Sequence, residues 1–159
     1  MGDDRIIEAG AVQRLAIVMG DVQPFQFVQW LIDRKPANLG ASLSTLPRFQ
    51  ELVGSIDALL LQNRVLLTSA AEGRLPPSEA GLVKHLVTEN AIAAVEKAIA
   101  ATGNPGLSRH NPLQRHYRDV LCGRVHTPQS DMVLMGAGKA AFAAATSTTS
   151  PAATDRRPS

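Results

Sequence analysis

Two apolar stripes at helical spacing, joined by a short turn, constrain this chain more than any other feature. Phe49, Leu52, Val53, Ile56, Leu59, Leu60 and Leu67 mark the first, and Leu82, Val83, Leu86, Val87, Ala91, Ala94, Val95, Ala98 and Ile99 the second. Between them lie Glu72-Gly73 and the rigid Arg74-Leu75-Pro76-Pro77. Two long helices connected this way pack antiparallel. Their ends are marked too. Pro47 suits a first helical turn, where its missing N–H needs no partner, with Ser44 or Thr45 near the cap. Gly103 just past the second stripe, with Pro105 beyond it, forms a stop.

The remaining segments are punctuated in the same manner. Asp3 or Asp4 can cap a first helix carrying Ile6, Ile7, Ala11, Leu15 and Val18. Gly20 and Pro24 kink or break it before a continuation through Phe25, Val28, Leu31 and Ile32, closed by Lys35-Pro36. Residues 36–45 lack a period and form a loop. Asn111-Pro112 and Thr127-Pro128 each open a further helix, the last running through Met132, Leu134, Met135 and Phe142. From Thr146 the composition cannot bury enough apolar surface to order itself. The expected fold is all-α: an up-and-down four-helix bundle in residues 1–145, with an additional short C-terminal helix and a disordered tail over 146–159. The low aromatic content, 4%, and the abundance of Ala and Leu agree with helix rather than sheet.

At 159 residues a single core of ordinary size is available. A net charge of +2 is too small for a nucleic-acid or membrane-surface footprint, and one Tyr offers no set of stacking aromatics. The opening MGDDRIIEAG places acids where a signal peptide needs positive charge, and no apolar run reaches ~18 residues. The lone Cys122 excludes an internal disulfide and fits a reducing compartment. The expectation is cytoplasmic, without nucleic-acid or membrane partners.

Chemistry-bearing residues concentrate in residues 104–129, NPGLSRHNPLQRHYRDVLCGRVHTPQ, which hold three of the four histidines. His110, His116 and His126 lie six and ten apart, with no helical i, i+4 pair, so no metal is expected. Arg115, Arg118 and Asp119 share a helical face and are expected as an ion-pair cluster tying that helix to a neighbour. Gly136-Ala-Gly-Lys-Ala-Ala141 formally fits the dinucleotide pattern G-x-G-x-x-A but sits in a helical period without a preceding strand, so small residues for close helix packing account for it. Thr127 is expected to cap the last helix. A helix start presents free N–H groups, and His126 stands just before it with a side chain readily tuned near neutral pH.

The run GNPGLSRHNPLQRHYRDVLCGRVHTPQSDMVL resembles the C-terminal helical domain of the acyl-CoA dehydrogenase superfamily. The resemblance rests on a Gly-containing turn, then a helix carrying Arg118-Asp119, then a loop into a final helix. It extends over residues 5 to 145, with the specific part at 103–131. It implies a bundle that follows an N-terminal helical domain and a middle β-domain, with flavin adenine dinucleotide between these domains and a neighbouring subunit. Both upstream domains are absent, which implies a fragment, a truncated reading frame or one part of a split protein.

The same resemblance assigns roles. Many members take their catalytic base from a Glu, followed by Gly-Thr, after the Arg-Asp helix. Here His126-Thr127-Pro128-Gln129 occupies that place, with no carboxylate until Asp131. A His-x-Pro there looks more like the flavin-dependent monooxygenases that share the fold. By that likeness His126 is the polar, catalytic group at the flavin, with Thr127 and Gln129 contacting the cofactor. Gly103 and Gly106 match the turn that meets the cofactor of the adjoining subunit. Arg34 falls near the Arg that precedes a Phe-Gly, replaced here by Leu39-Gly40 at altered spacing. The implied cofactor is FAD or FMN, not retained by the chain alone. The implied chemistry is acyl-CoA dehydrogenation or flavin-dependent monooxygenation of an acyl-CoA or related substrate, in a homo-oligomer (dimer or tetramer) or with the missing domains. The other function class left open is a non-catalytic bundle for oligomerisation or partner binding.

Overall fold

A computed structural model describes residues 24–148. The expected first helix up to the Gly20–Pro24 break, and the tail beyond residue 148, lie outside the described residues. Six helices follow in order: α1 (Pro24–Asp33), α2 (Pro47–Ala71), α3 (Ala80–Thr102), the single turn α4 (Asn104–Leu107), α5 (Pro112–Val125) and α6 (Ser130–Thr148), with 3-10 turns at Leu43–Thr45 and Pro77–Glu79. No strand occurs among the described residues. The architecture is an all-α helical bundle.

α3 is the central element. Val83, Lys84, Val87, Thr88, Ala91, Ile92, Ala94, Val95, Ala98 and Thr102 are all buried on it, so it is enclosed from several sides. On one side Ala94 and Ala98 join Phe27, Leu31, Leu43, Phe49, Ile56 and Leu60 in a core shared by α1, α2 and α3. On another, Ala91, Ile92 and Val95 meet Val120, with Tyr117 and Leu121 packed alongside, where α5 crosses. Apart from Leu86, which is exposed, the apolar stripes do what their spacing predicts: they lose apolar area to the bundle interior.

The register of α2 on α3 is antiparallel. Phe49, near the start of α2, shares a core with Ala98, near the end of α3. Further along, the fully buried Asn63 donates from Nδ2 to the Val87 carbonyl (3.0 Å) and accepts from Asn90 Nδ2 (2.9 Å). α5 is antiparallel to α3 as well: Tyr117 reaches Glu96 and Arg124 reaches Glu89. α6 starts beside His85, whose Nδ1 lies 3.0 Å from the Ser130 hydroxyl, and its Val133 packs over Gly81. Since α3 begins at Ala80, the body of α6 runs on past that end of α3. No residue of α6 is buried.

Three local expectations need correction. The buried row of α1 is Phe27 and Leu31, while Ile32 is 44% exposed, so the inward face is turned from the expected one. Ser44 and Thr45 belong to the 3-10 turn, and the N-cap of α2 is Leu46 without a side-chain cap. Ser42 caps that turn instead and shares its hydroxyl proton between the Leu31 and Ile32 carbonyls at the end of α1. Finally, α6 continues to Thr148, past the expected boundary at 145.

Candidate functional site

The C-terminal end of α3 closes on Gly103, whose N–H returns to the Ile99 carbonyl (2.9 Å). Its φ of 65° lies in the left-handed region that glycine enters without a Cβ penalty. Gly106 sits buried one turn on, against Thr102. A Cβ there would run into the Thr102 Oγ1, which is already committed to the Ala98 and Ile99 carbonyls. Both glycines thus have internal steric reasons for being glycine. Arg34 lies toward this same end: its carbonyl accepts from Leu43 N–H (3.0 Å) just ahead of α2, and its side chain is exposed.

The other end of α3 carries the loop 126–129. His126 closes α5 as its C-cap in extended conformation, with its N–H on the Cys122 carbonyl (3.2 Å). His126, Thr127, Pro128 and Gln129 are all exposed. What holds them is Lys84, which lies within the apolar stripe of α3. Its side chain is buried (4% exposed), and Nζ donates to three main-chain carbonyls: Gly123 (2.7 Å), His126 (2.7 Å) and Pro128 (2.9 Å). An ammonium has three N–H donors, so three acceptors satisfy it fully. Burial pushes the Lys84 pKa below the usual lysine value. The three carbonyls favour the protonated form and oppose that push. A lysine placed three residues before Val87 in an otherwise apolar stripe was the available signal.

Thr127 does not cap α6, which begins at Ser130. A helix starting at Pro128 would need the Pro128 carbonyl for the Met132 N–H. That carbonyl is held by Lys84, and Met132 N–H bonds to Asp131 Oδ1 instead (2.8 Å). The first helical acceptor is the Gln129 carbonyl, taken by Val133 N–H (3.1 Å). The N–H groups of Thr127 and Gln129 have no hydrogen-bond partner among the described residues.

The Gly103–Gly106 turn and the His126 loop are not brought together. Lys84 and Gly103 are nineteen residues apart along α3, about 28 Å at the rise of an α-helix. Within one chain they stand at opposite ends of the bundle.

The Arg115/Arg118/Asp119 cluster differs from its expectation. Arg115 Nε lies 3.7 Å from Asp119 Oδ2 within α5, with both side chains largely exposed, and Arg118 has no carboxylate partner among the described residues. The face of α5 turned to α3 is that of Tyr117, Val120 and Leu121, so these arginines point away from the neighbour. The tie between helices comes from Arg124, which grips Glu89 with Nε at 3.0 Å and Nη2 at 2.8 Å. That hydrogen bond holds the Glu89 carboxyl below the usual carboxylate range and raises Arg124. Tyr117 donates to Glu96 (3.1 Å), which raises the phenol. Close approach of α5 to α3 depends on Gly123, where a Cβ would come within 2.7 Å of Thr88 Cγ2.

Residues 136–141 are helical within α6, with no strand before them among the described residues. His116 borders a cleft of about 170 Å³ between α1, α3 and α5, together with Trp30, Thr102 and Asn111. No helix of the structure is long and apolar enough to cross a membrane among the described residues.

Comparison with known proteins agrees with this architecture. The family described as acyl-CoA dehydrogenase, C-terminal domain, matches residues 53–131, from α2 into the start of α6. YdbM of Bacillus subtilis strain 168, whose name assigns it to the acyl-CoA dehydrogenases, is 34% identical over 122 residues, which cover 72% of this chain and 32% of YdbM. An acyl-CoA dehydrogenase of Slackia heliotrinireducens superposes with a TM-score of 0.75 at 17% identity, over 90% of this chain and 39% of that one. PigA in complex with FAD gives a TM-score of 0.62 at 17% identity, over 80% of this chain and 33% of that one. The last two show a shared fold. The chain is a member of the acyl-CoA dehydrogenase superfamily and corresponds to its C-terminal helical domain. It spans about a third of the length of the curated relative it matches.

Proposed function

We propose that this bundle serves as the C-terminal domain of a flavin-dependent oxidoreductase acting on an acyl thioester or a similar substrate. The observation that carries the reading is the loop 126–129: exposed, clamped from behind by Lys84, and bearing His126 with unpaired N–H groups at Thr127 and Gln129. Hydrogen-bond donors in that arrangement fit the polar edge of a flavin, whose ring acceptors are carbonyl oxygens and nitrogens. They fit one edge only, because cofactor pockets enclose most of their ligand. When bound, the flavin would supply two-electron redox chemistry. His126 is then the titratable side chain of the loop, able to hold or move a proton beside the ring. Asp131, the first carboxylate after it, is occupied with the Met132 N–H.

The Gly103–Gly106 turn, with Arg34 at the same end, would meet a second cofactor molecule, held by an adjoining subunit. The separation along α3 favours two cofactors over one. Such a protein would assemble as an oligomer, and its free Cys122 fits a reducing compartment such as the cytoplasm. The domains that complete the pocket would come from a longer chain or a separate one. Fusing or co-expressing upstream domains of a relative with this chain should yield a yellow protein, while the chain alone should purify colourless. Absence of FAD uptake by the combined protein would overturn the reading.

One observation favours a second role alongside it. α6 carries exposed Met132 (58%), Leu134 (49%), Met135 (48%) and Phe142 (78%) and buries none of its residues. A helix of this composition calls for a cover, and a second subunit or the partner domains would provide it. As a bare oligomerisation module the chain would assemble through this face without any flavin.

A further inference from the structure

We propose that Lys84 is a positioning residue, whose ammonium sets the backbone of the flavin-facing loop; the proposal rests on the reading of that loop given above. The chain from Gly123 to Gln129 leaves a helix, turns, and enters another helix, with all four residues from His126 to Gln129 exposed to solvent. A stretch of that kind ordinarily fluctuates, since few buried contacts restrain it. Here three of its carbonyls converge on one buried cation.

The convergence has a directional consequence. Carbonyls at Gly123, His126 and Pro128 are turned onto Lys84 and withdrawn from a ligand in front of the loop, where the N–H groups of Thr127 and Gln129 remain without a partner among the described residues. The arrangement is also selective for lysine. Arg carries its donors in a planar fork and cannot focus three of them on one point, and Met of similar length offers none. No carboxylate stands among the partners of Nζ, so the positive charge is balanced by carbonyl dipoles alone. Charge-assisted bonds of this kind are stronger than neutral ones, and losing the cation would leave three acceptors to find water. Lys84 touches neither substrate nor cofactor in this account. It acts through the geometry of His126, Thr127 and Gln129.

The test begins on the 159-residue chain itself, by amide hydrogen exchange of Lys84→Met against wild type. Exchange at His126 and Val133, whose N–H groups bond to the Cys122 and Gln129 carbonyls at the two ends of the loop, should accelerate about tenfold or more, while Tyr117 to Leu121 in the body of α5 should change by less than about twofold. Unchanged exchange in the loop overturns the proposal. Should Lys84→Met not fold, the wild type decides by NMR of its lysine ammonium groups. Nζ protons of Lys84 should exchange with water far more slowly than those of the exposed Lys35, Lys97 and Lys139, and equal rates would overturn it. The link to flavin is read separately, by redox titration of FAD bound to the protein completed with upstream domains. Lys84→Met should move the reduction potential of the bound FAD. A loosened loop with an unmoved potential overturns the positioning role, whereas failure of the wild type to take up FAD removes the functional reading and leaves the exchange result standing.

Discussion

Replacing Asn63 by Ala isolates the polar contact in the middle of the bundle. Asn63 is fully buried between α2 and α3, its Nδ2 on the Val87 carbonyl and its Oδ1 accepting from Asn90. Two hydrogen bonds of ordinary strength contribute about 1 kcal/mol each. Removing the amide also leaves a small void beside Val87, itself 0% exposed, adding about 1 kcal/mol. Asn90 is half-buried and also donates to Gln62, so it can turn toward water and is not stranded. The expected loss is about 3 kcal/mol. Urea unfolding followed by circular dichroism at 222 nm measures it as a fall in the midpoint at unchanged slope. A loss under about 0.5 kcal/mol would refute the reasoning, since exposed sites away from such contacts behave that way.

Other substitutions test separate parts of the structure. Gly123→Ala forces a methyl against the stiff Thr88 side chain and should destabilise by about 1–3 kcal/mol. Thr88→Ala removes both the opposing methyl and a buried hydroxyl that has no partner among the described residues, so the double variant should unfold at a higher urea concentration than Gly123→Ala alone. The Glu89–Arg124 pair makes stability depend on pH. The folded carboxyl titrates below its unfolded value near 4.5, so its contribution is complete above that pH and is lost as pH falls through the folded value. Partial exposure and screening limit it to about 0.5 kcal/mol, and Glu89→Gln should flatten the acid limb of the stability curve by that amount. Phe142→Asp on the exposed face of α6 should shift sedimentation toward monomer without altering helix content; an unchanged association state would remove that face from the assembly.

What was legible in the sequence, and what was not, divides by range. The cap at Asn111 is as read, its Oδ1 accepting from Leu113 N–H (3.0 Å), and the stop at Gly103 takes the positive φ expected of it. These are decided by neighbours a few residues away. The stripes at 49–67 and 82–99 likewise specify which faces of α2 and α3 bury. The same cap-and-proline pattern at Thr127-Pro128 opens no helix: α6 starts at Ser130, and the Pro128 carbonyl bonds instead to a lysine forty-four residues earlier. Asn63, Lys84 and the Arg124–Glu89 grip share that property: each is a polar contact between segments far apart in the chain, invisible to local periodicity. Arg115 and Asp119 were readable as an i, i+4 pair. Which way their face turns was not, since that follows from Val120 and Tyr117 packing on α3. For the candidate site, the position of His126 in the loop was legible, but the clamp behind it and its distance from Gly103 needed the fold.

The central claim is that the His126 loop faces a flavin, and the half-reactions of His126→Ala test it most directly. The protein completed with upstream domains is loaded with FAD. Stopped-flow absorbance then follows two steps: reduction of the flavin by an acyl thioester, and reoxidation of chemically reduced flavin by oxygen. The account predicts that at least one of these rates falls about tenfold or more in His126→Ala, with thermal stability and FAD content unchanged, as for a group that acts in the transition state. Both rates equal to wild type in a protein that binds FAD normally would contradict it.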